Sequence, residues 1–364
     1  MSRGKLLTLA GSAAVLLTAG IWLSSHRANV QADLGGAVVF SDLKASLGEV
    51  EELRLSKGDG SRTTLRKGAG GWTVVEREYP ADGGRVRELA LALADLKIVE
   101  RKTNDPANYA KLGVEAPESP TAVSTLVEIV AGKKSWALIV GKSAEGRAVY
   151  VRKPKEAVSA LAEPSVNADP DQKRWLDRLI TDLPGADVHE IAVKPANGPA
   201  YLLTRAQRGD ANLTLSPVPK GRTAVSSMSI DGQAEVLAAF NFDEVHSRAT
   251  VAPTDHATYR TFDGEVIEIA GRRDGEKALV QVTATRDPAL AAKFPEAAKA
   301  PAAATPAPAT PDKAAAPKPA AQTVERLAAR AGGVEYEIPL YKYDALFKPL
   351  EELLEKPAAH AKKK

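Results

Sequence analysis

Residues 50–55 read VEELRL, and their apolar and charged side chains alternate with the period of two that is typical of a half-buried β-strand. Shorter runs of the same kind follow at 63–66 and 71–75, and glycine-rich turns separate them. The pattern predicts an antiparallel meander. Residues 84–102 change to helical spacing, which predicts a helix with one apolar face. Its apolar positions are Val86, Leu89, Leu93, Leu96 and Val99. Further strands are predicted at 124–131, 134–140 and 148–152.

The sequence VHEIAV at residues 188–193 repeats this pattern. Its apolar positions Val188, Ile191 and Val193 correspond to Val50, Leu53 and Leu55. Helices are predicted at 175–183, 231–245 and 343–354, and strands at 200–205, 212–215, 259–262, 265–271, 277–285 and 334–340. The predicted helix with Val236, Leu237 and Phe240 is placed like the helix with Leu89, Leu93 and Leu96. The sequence therefore predicts an α+β fold of two tandem modules, each a mainly antiparallel β-sheet with one or two packed helices.

The chain has 364 residues, enough for two domains of roughly 100–200 residues each. We predict a first module at 45–162 and a second module at 175–290 and 323–355. An alanine- and proline-rich insertion at 291–322 interrupts the second module. Because proline lacks a donor and alanine buries little surface, we expect this insertion to be disordered. The other predicted segments are a cytoplasmic N-terminus at 1–5, a transmembrane anchor at 6–23, a tether at 24–44 and a basic tail at 356–364.

The stretch from Leu6 to Leu23 contains no charged residue. At about 1.5 Å per helical residue, it nearly spans the roughly 30 Å hydrocarbon core of a membrane. The basic residues Arg3 and Lys5 precede it, which favours a cytoplasmic N-terminus and export of the rest of the chain. The predicted anchor residues include Leu6, Leu9, Val15, Leu16, Leu17, Ile21, Trp22 and Leu23. The alternatives are a signal peptide cleaved after Val30-Gln31-Ala32, which also exports the chain, and a buried soluble helix.

The overall charge and the absence of cysteine limit the possible functions. The formal net charge is only +3, which argues against a nucleic-acid-binding protein. The chain has no cysteine, which excludes disulfides, thiolate metal sites and thiol catalysis. The sequence contains no dinucleotide fingerprint, nucleophile elbow or calcium loop. We therefore predict no cofactor and no enzymatic activity.

One local group of residues has the chemistry of a metal site. It consists of His246 and His256 with Asp243, Glu244 and Asp255. The spacing of these residues matches no ligand motif, so we predict ordinary surface residues and no bound metal.

Two further patterns each allow a functional and a structural interpretation. Gly141-Lys142-Ser143 resembles the end of a phosphate-binding loop, but Trp136 stands where that loop needs a glycine. We therefore predict a structural turn. Trp72, Trp136 and Trp175 could line a groove or anchor the cores of their sheets, and we predict the core role.

Several segments, taken in order, carry a resemblance to a known family. They are Gly71-Trp72-Thr73-Val74, the helix entry at 81–96, Tyr109-Ala110-Lys111-Leu112-Gly113-Val114 with Pro117, Val140-Gly141-Lys142, Val149-Tyr150-Val151-Arg152 and the stretch 175–183. Over roughly residues 45–285, the chain resembles the family catalogued as domain of unknown function 4340. The resemblance implies a membrane-anchored protein in the setting of ABC-type transporter operons, and it implies no catalytic residues.

We therefore expect a non-enzymatic accessory or scaffold protein of the bacterial envelope, held in the inner membrane with its bulk on the periplasmic side. It would act beside an ABC-type transporter complex through protein–protein contacts. Its expected partners are the inner membrane and envelope or transporter proteins, and no nucleic acid. An exported glycan- or small-ligand-binding module is the main alternative, and an enzyme of unrecognised type is a third possibility.

Overall fold

The computed structural model describes residues 36–295, 321–330 and 333–355. The chain divides into a first unit, Met1–Asp177, and a second unit, Arg178–Lys364. Both consist mainly of antiparallel strands with a few helices, so the predicted α+β class is confirmed. Within the described ranges, no helix is both long and apolar enough to cross a membrane. The predicted segments 1–5, 6–23 and 356–364 lie outside the described residues.

The first unit contains strands β1 to β9 and helices α1 to α3. The strands are β1 (Val50–Ser56), β2 (Arg62–Gly68), β3 (Gly71–Val74), β4 (Tyr79–Pro80), β5 (Lys97–Arg101), β6 (Thr125–Ala131), β7 (Lys134–Ser143), β8 (Val149–Arg152) and β9 (Ser159–Glu163). The helices are α1 (Leu43–Ser46), α2 (Gly83–Asp95) and α3 (Tyr109–Leu112), with short 3-10 turns at Leu47–Glu49, Val75–Arg77, Pro106–Asn108 and Gln172–Trp175.

These strands form one antiparallel sheet in the order β4-β3-β2-β1-β6-β7-β8-β9-β5. Val50 and Leu53 are both buried, although they lie three positions apart on β1. A β-bulge makes this possible, because the register between β1 and β6 shifts between Val50 and Glu52. After the bulge, Leu53 and Leu55 alternate into the core with the predicted period of two.

The second unit contains strands β10 to β19 and helices α4 to α7. The strands are β10 (Leu179–Thr181), β11 (Val188–Lys194), β12 (Tyr201–Thr204), β13 (Thr214–Ser216), β14 (Phe240–Asn241), β15 (Glu244–Ser247), β16 (Asp255–Thr261), β17 (Glu265–Asp274), β18 (Lys277–Arg286) and β19 (Val334–Ile338). The helices are α4 (Ser227–Asp231), α5 (Pro288–Lys293), α6 (Ala321–Arg330) and α7 (Leu340–Leu346), with 3-10 turns at Gly185–Asp187, Ala234–Leu237 and Leu350–Leu353.

The main sheet of the second unit has the order β13-β12-β11-β16-β17-β18-β19-β15. This is the order β3-β2-β1-β6-β7-β8-β9-β5 of the first unit, strand for strand. The bulge also recurs, because the register of β11 against β16 shifts between Val188 and Glu190. Ile191 and Val193 are then buried as Leu53 and Leu55 are. The two sheets therefore share one strand order, and the predicted correspondence between the apolar positions of β1 and β11 is confirmed.

The predicted helices are only partly right. Helix α2 begins where Asp82 caps it, because its carboxylate accepts hydrogen bonds from the amides of Gly84 and Arg85. It ends at Asp95, so Val99 lies on β5 and not on the predicted helix 84–102. The predicted helix 343–354 is divided into α7 and a 3-10 turn.

Two helices predicted for the second module are wrong. Residues 231–245 form the end of α4, a 3-10 turn, β14 and the start of β15. Residues 175–183 form the end of a 3-10 turn and then β10. Val236 and Leu237 are buried in the 3-10 turn, while Ile180 and Phe240 are buried on the paired strands β10 and β14. Tertiary pairing therefore outweighs the local helical spacing.

In each unit, the first described segment pairs antiparallel with a later segment of the same unit. This later segment follows α2 in the first unit and the 3-10 turn Ala234–Leu237 in the second. In the first unit, the Gly36 amide donates to the Ile98 carbonyl at 3.0 Å, and the Val39 amide donates to the Leu96 carbonyl at 2.8 Å. In the second unit, β10 pairs with β14 in the same manner. The predicted tether 24–44 is therefore too long, because residues 36–44 belong to the folded unit and bury Val39, Phe40 and Leu43.

The connection between β18 and β19 contains the predicted insertion, whose residues 296–320 lie outside the described ranges. Its predicted start at 291 is wrong, since residues 291–293 belong to α5 and the Phe294 ring lies 4.5 Å from the His189 ring and 5.1 Å from the Phe262 ring. At its other end, Arg326 and Arg330 of α6 donate hydrogen bonds to carbonyls of β10. The strands predicted at 277–285 and 334–340 are present and pair with each other, since Ala278 lies opposite Ile338.

Candidate functional site

The structure does not bring together the two histidines and three carboxylates that the sequence offers as a metal site. His246 lies on β15 and His256 on β16, and strands β17, β18 and β19 separate them in the sheet. The Nε2 atom of His246 lies 2.9 Å from a Glu337 carboxylate oxygen, while Asp255 accepts a hydrogen bond from the Tyr343 hydroxyl at 2.8 Å. Among the described residues, no group of three or more His, Asp or Glu side chains has the geometry to hold a metal ion.

The Gly141-Lys142-Ser143 segment has a structural role, as predicted, but it is the end of strand β7 and not a turn. A side chain at Gly141 would lie 2.5 Å from the Leu112 carbonyl oxygen, so only glycine fits there. The Lys142 ammonium donates to the carbonyls of Ala110 and Lys111, both at 3.2 Å. It thereby satisfies carbonyls at the C-terminal end of α3.

Two of the segments that carry the family resemblance, 109–114 and 149–152, meet around Tyr109. Its ring packs in a cluster with Val114 and Ile139, and its hydroxyl donates to the Ala157 carbonyl at 2.5 Å. The Arg152 guanidinium lies 4.6 Å from the centre of the Tyr109 ring, and its Nε donates to the Val114 carbonyl at 2.9 Å. These residues therefore hold the connection between β5 and β6 against the sheet.

Two of the three tryptophans singled out from the sequence are core residues, as predicted. Trp136 and Trp175 are buried. Their indole N–H groups donate to the Asp42 carboxylate at 2.9 Å and to the Asp169 carbonyl at 2.7 Å. Trp72 is half-buried on β3.

A cavity of about 420 Å³ lies in the first unit between α2 and the chain at 165–175. Leu89 and Trp175 contribute its apolar surface. Arg85 donates to the Arg174 carbonyl at 2.7 Å, and Arg174 forms an ion pair with Asp169. The other lining residues are Glu88, Ala92, Ser165 and Asn167. Apolar surface combined with a few polar groups suits a small polar ligand, and the sequence did not indicate this cavity because its two walls are far apart along the chain.

A buried carboxylate in the second unit is a further group that the sequence did not indicate. Glu265 is only 3% exposed, and its Oε1 has no hydrogen-bond partner among the described residues. The nearest cation is Arg286, at 3.9 Å. Burial raises the pKa of Glu265 to about 7, and the neighbouring charges of Asp263 and Asp187 act in the same direction. Glu265 is therefore a group whose charge changes near neutral pH.

The fold defines a class of two-unit, mainly antiparallel α+β proteins, in which the same strand order occurs twice in one chain. The family model described as "Domain of unknown function (DUF4340)" matches residues 72–261, more than half of the chain, and the protein belongs to this family. The match begins in β3 of the first unit and ends in β16 of the second. Comparisons with curated proteins and with solved structures give no match.

Proposed function

We propose that this protein is a membrane-anchored, exported accessory or scaffold protein of the bacterial envelope, without enzymatic activity of its own. It acts beside an ABC-type transporter through protein–protein contacts. The observation that supports this proposal best is the duplicated sheet, with the same strand order and the same bulge in both units. Duplication supplies two related sheet surfaces on one chain, and such surfaces suit contacts with other proteins.

The start of the first unit supports the anchored arrangement. Gly36 and Ala37 already pair with Ile98 of β5, and only a short stretch of sequence separates them from the predicted anchor at 6–23. An anchor there would hold the β5 edge of the sheet near the membrane, because a short chain has a short reach.

Two measurements, made one after the other, test the proposal. First, the full chain should stay in the membrane fraction after a high-salt wash, because salt weakens charge contacts and not the insertion of an apolar helix. Release of a soluble form that begins near Asp33 would establish a cleaved signal peptide instead. Second, purification of the tagged chain from detergent-solubilised membranes should enrich subunits of an ABC-type transporter.

The control for the second measurement is a tagged chain that contains only residues 1–35, so that partners of the folded units are separated from proteins that bind any anchor. If transporter subunits are enriched equally with this control, or not at all, the scaffold proposal is wrong.

The cavity beside α2 favours a second candidate, an exported module that binds a glycan or another small polar ligand. Soluble cell-wall oligosaccharides should then change the fluorescence of Trp175, which lines the cavity. The Arg85→Ala and Arg174→Ala variants should lose this change. A fluorescence change that persists in both variants would place the ligand elsewhere, and no change with any oligosaccharide would contradict the glycan proposal.

A further inference from the structure

One face of the main sheet in the second unit points away from the core, and part of it carries small or apolar side chains between charged ones. On this face, Ala192 of β11 lies opposite both Leu202 of β12 and Thr258 of β16. Leu202 is 39% exposed. These residues, together with Lys194 and His256, line a shallow groove of about 340 Å³. We call Ala192, Lys194, Leu202, His256 and Thr258 the outer face of the second unit.

Two of the three corresponding positions of the first unit are charged, and the arginine there has an acidic partner. Arg54, Thr64 and Glu128 occupy the registers of Ala192, Leu202 and Thr258. The Arg54 Nε donates to Glu52 at 2.5 Å, and the Arg66 Nε donates to the same carboxylate at 2.8 Å. Although burial opposes it, these hydrogen bonds from Arg66 and Arg54 hold the pKa of Glu52 below its usual range.

The outer face of the second unit leaves two basic side chains without an acidic partner. Lys194 lies directly opposite His256, and both are exposed. Neither side chain has a hydrogen-bond or ion-pair partner among the described residues. Beside these residues on the same side of the sheet, Glu190 pairs with Arg260 at 2.5 Å. Glu268 lies opposite Thr258 and is exposed, and it keeps its negative charge because its hydrogen bond, at 3.5 Å, comes from the neutral Thr283 hydroxyl. The positive charge of Lys194 therefore has no acidic partner on this face, so an anion beside it would be stabilised.

From this arrangement we infer that the outer face of the second unit binds an extended segment of a partner protein that presents apolar side chains next to a carboxylate. The groove lies at the low end of the roughly 300–1,000 Å³ of ligand sites, which suits a few side chains. Ala192 and Leu202 would contact the apolar side chains, and Lys194 and His256 would contact the carboxylate. The inference rests on the proposed function, because it names the surface and the partner chemistry of the scaffold.

The test uses the full chain in lipid nanodiscs and a fluorescent probe peptide, acetyl-Leu-Ala-Leu-Asp-Leu-amide. A second peptide has lysine in place of aspartate. We expect the acidic peptide to bind at least about fivefold more tightly than the basic one, the size of an exposed ion pair. Added salt should reduce this difference.

Two protein variants make the test specific. Lys194→Glu should reverse the preference, so that the basic peptide binds more tightly, and a merely structural role of Lys194 would not produce this reversal. Leu202→Asp should weaken binding of the acidic peptide at least about fivefold. Thr64→Asp, at the matching position of the first unit, is the control and should change nothing.

The inference is overturned if both peptides bind equally, if neither binds, or if Thr64→Asp weakens binding as much as Leu202→Asp does. The failure of the proposed function is a separate result. If transporter subunits still co-purify with the Leu202→Asp and Lys194→Glu variants, the scaffold proposal stands and this surface is wrong. If no subunit co-purifies with the unaltered chain, the scaffold proposal itself fails.

Discussion

The two units of this protein have the same strand order, but different parts of the chain cover their sheets. In the first unit, α3 and the residues after it pack against Gly141 near the end of β7. In the second unit, Tyr343 and Phe347 of the C-terminal helical part pack against Gly271 on β17. The first unit connects β8 to β9 through residues 153–158, whereas the second connects β18 to β19 through residues 287–333. The ladder is therefore the common part of the repeat, and its connections are the variable part.

The reason for this difference is physical. A strand that slips by one residue turns its whole apolar set to the other face, so the pairing pattern tolerates little change. A connection on the surface has no such constraint, so its length and conformation vary more readily than the pairing of the strands. Each prediction below compares matched positions of the two units.

The largest effects are expected at the centre of the ladder. Leu53 and Ile191 occupy the same register, and both are 0% exposed. Leu53→Ala and Ile191→Ala should each lower the free energy of unfolding by about 2–5 kcal/mol, because each removes buried methyl groups and leaves a cavity. Hydrogen exchange read by mass spectrometry should show faster exchange mainly in the unit that carries the substitution.

The matched control for this pair is Arg54→Ala, an exposed position on the same strand, which should cost less than about 1 kcal/mol. A loss below about 1 kcal/mol at Ile191 would mean that β11 is not the structural counterpart of β1.

A smaller and unequal pair of effects is expected at the two packed glycines. A Cβ at Gly141 would lie 2.5 Å and 2.7 Å from the backbone carbonyl oxygens of Leu112 and Gly113. A Cβ at Gly271 would meet the ring atoms of Phe347 and Tyr343, which are side chains. Gly141→Ala should therefore destabilise by about 1–3 kcal/mol, and Gly271→Ala should destabilise by less, because rings yield more readily than backbone.

Chemical unfolding in urea measures both glycine variants, and Gly48→Ala, where the added methyl group meets open space, is the control. An equal loss for Gly141→Ala and Gly271→Ala would show that the C-terminal helical part is held as firmly as α3.

Much of the ladder was predictable from the sequence, because a pattern such as VEELRL or VHEIAV records directly which side chains face the core. The bulge was not predicted, although the three-residue separation of Val50 from Leu53 is its signature. The helix at 231–245 was predicted wrongly because Val236, Leu237 and Phe240 have helical spacing. In the structure the first two lie in a short 3-10 turn, and Phe240 lies on β14, which pairs with the distant strand β10. The cavity beside α2 and the burial of Glu265 depend on contacts between distant segments, which periodicity does not report.

The next prediction concerns the first residue of β17 and of β7. Glu265 is buried there in the second unit, whereas Lys134 at the matching position donates to the Ser46 hydroxyl in the first. The raised pKa of Glu265, about 7 in the folded state, means that folding favours its protonated form. Its stabilising contribution is complete below pH ~4.5, the unfolded pKa, and is lost as the pH rises towards 7.

Glu265→Gln keeps the neutral form at every pH. It should therefore raise the melting temperature at pH 8, by an amount that corresponds to on the order of 1–3 kcal/mol, and should have little effect at pH 4.5. Thermal unfolding at these two pH values measures the difference, and Lys134→Gln is the control. If Glu265→Gln destabilises at pH 8, Glu265 is ionised and paired in the folded protein, and the pKa assignment is wrong.

The smallest effect is expected from shortening the connection that distinguishes the two units. Residues 296–320 contain no apolar side chain larger than alanine or proline, so they have little to bury. Replacing them with a short Gly/Ser linker should change the free energy of unfolding by less than about 1 kcal/mol, since loop closure depends only weakly on length. Chemical unfolding of the full-length and shortened chains measures this difference.

A second deletion, of residues 288–320, shows which part of this connection contributes to stability and which part does not. It also removes α5, whose first turn Asp287 caps, and Phe294, which packs against His189 and Phe262. This deletion should cost about 1–3 kcal/mol more than the first, because it uncovers part of the apolar core at the β16–β17 turn. If the two deletions cost the same, α5 contributes nothing to the second unit, and the long connection differs from the short turn of the first unit in length alone. If the shorter deletion is already as costly as the longer one is expected to be, residues 296–320 pack on the fold, and the expectation of disorder drawn from their composition is wrong.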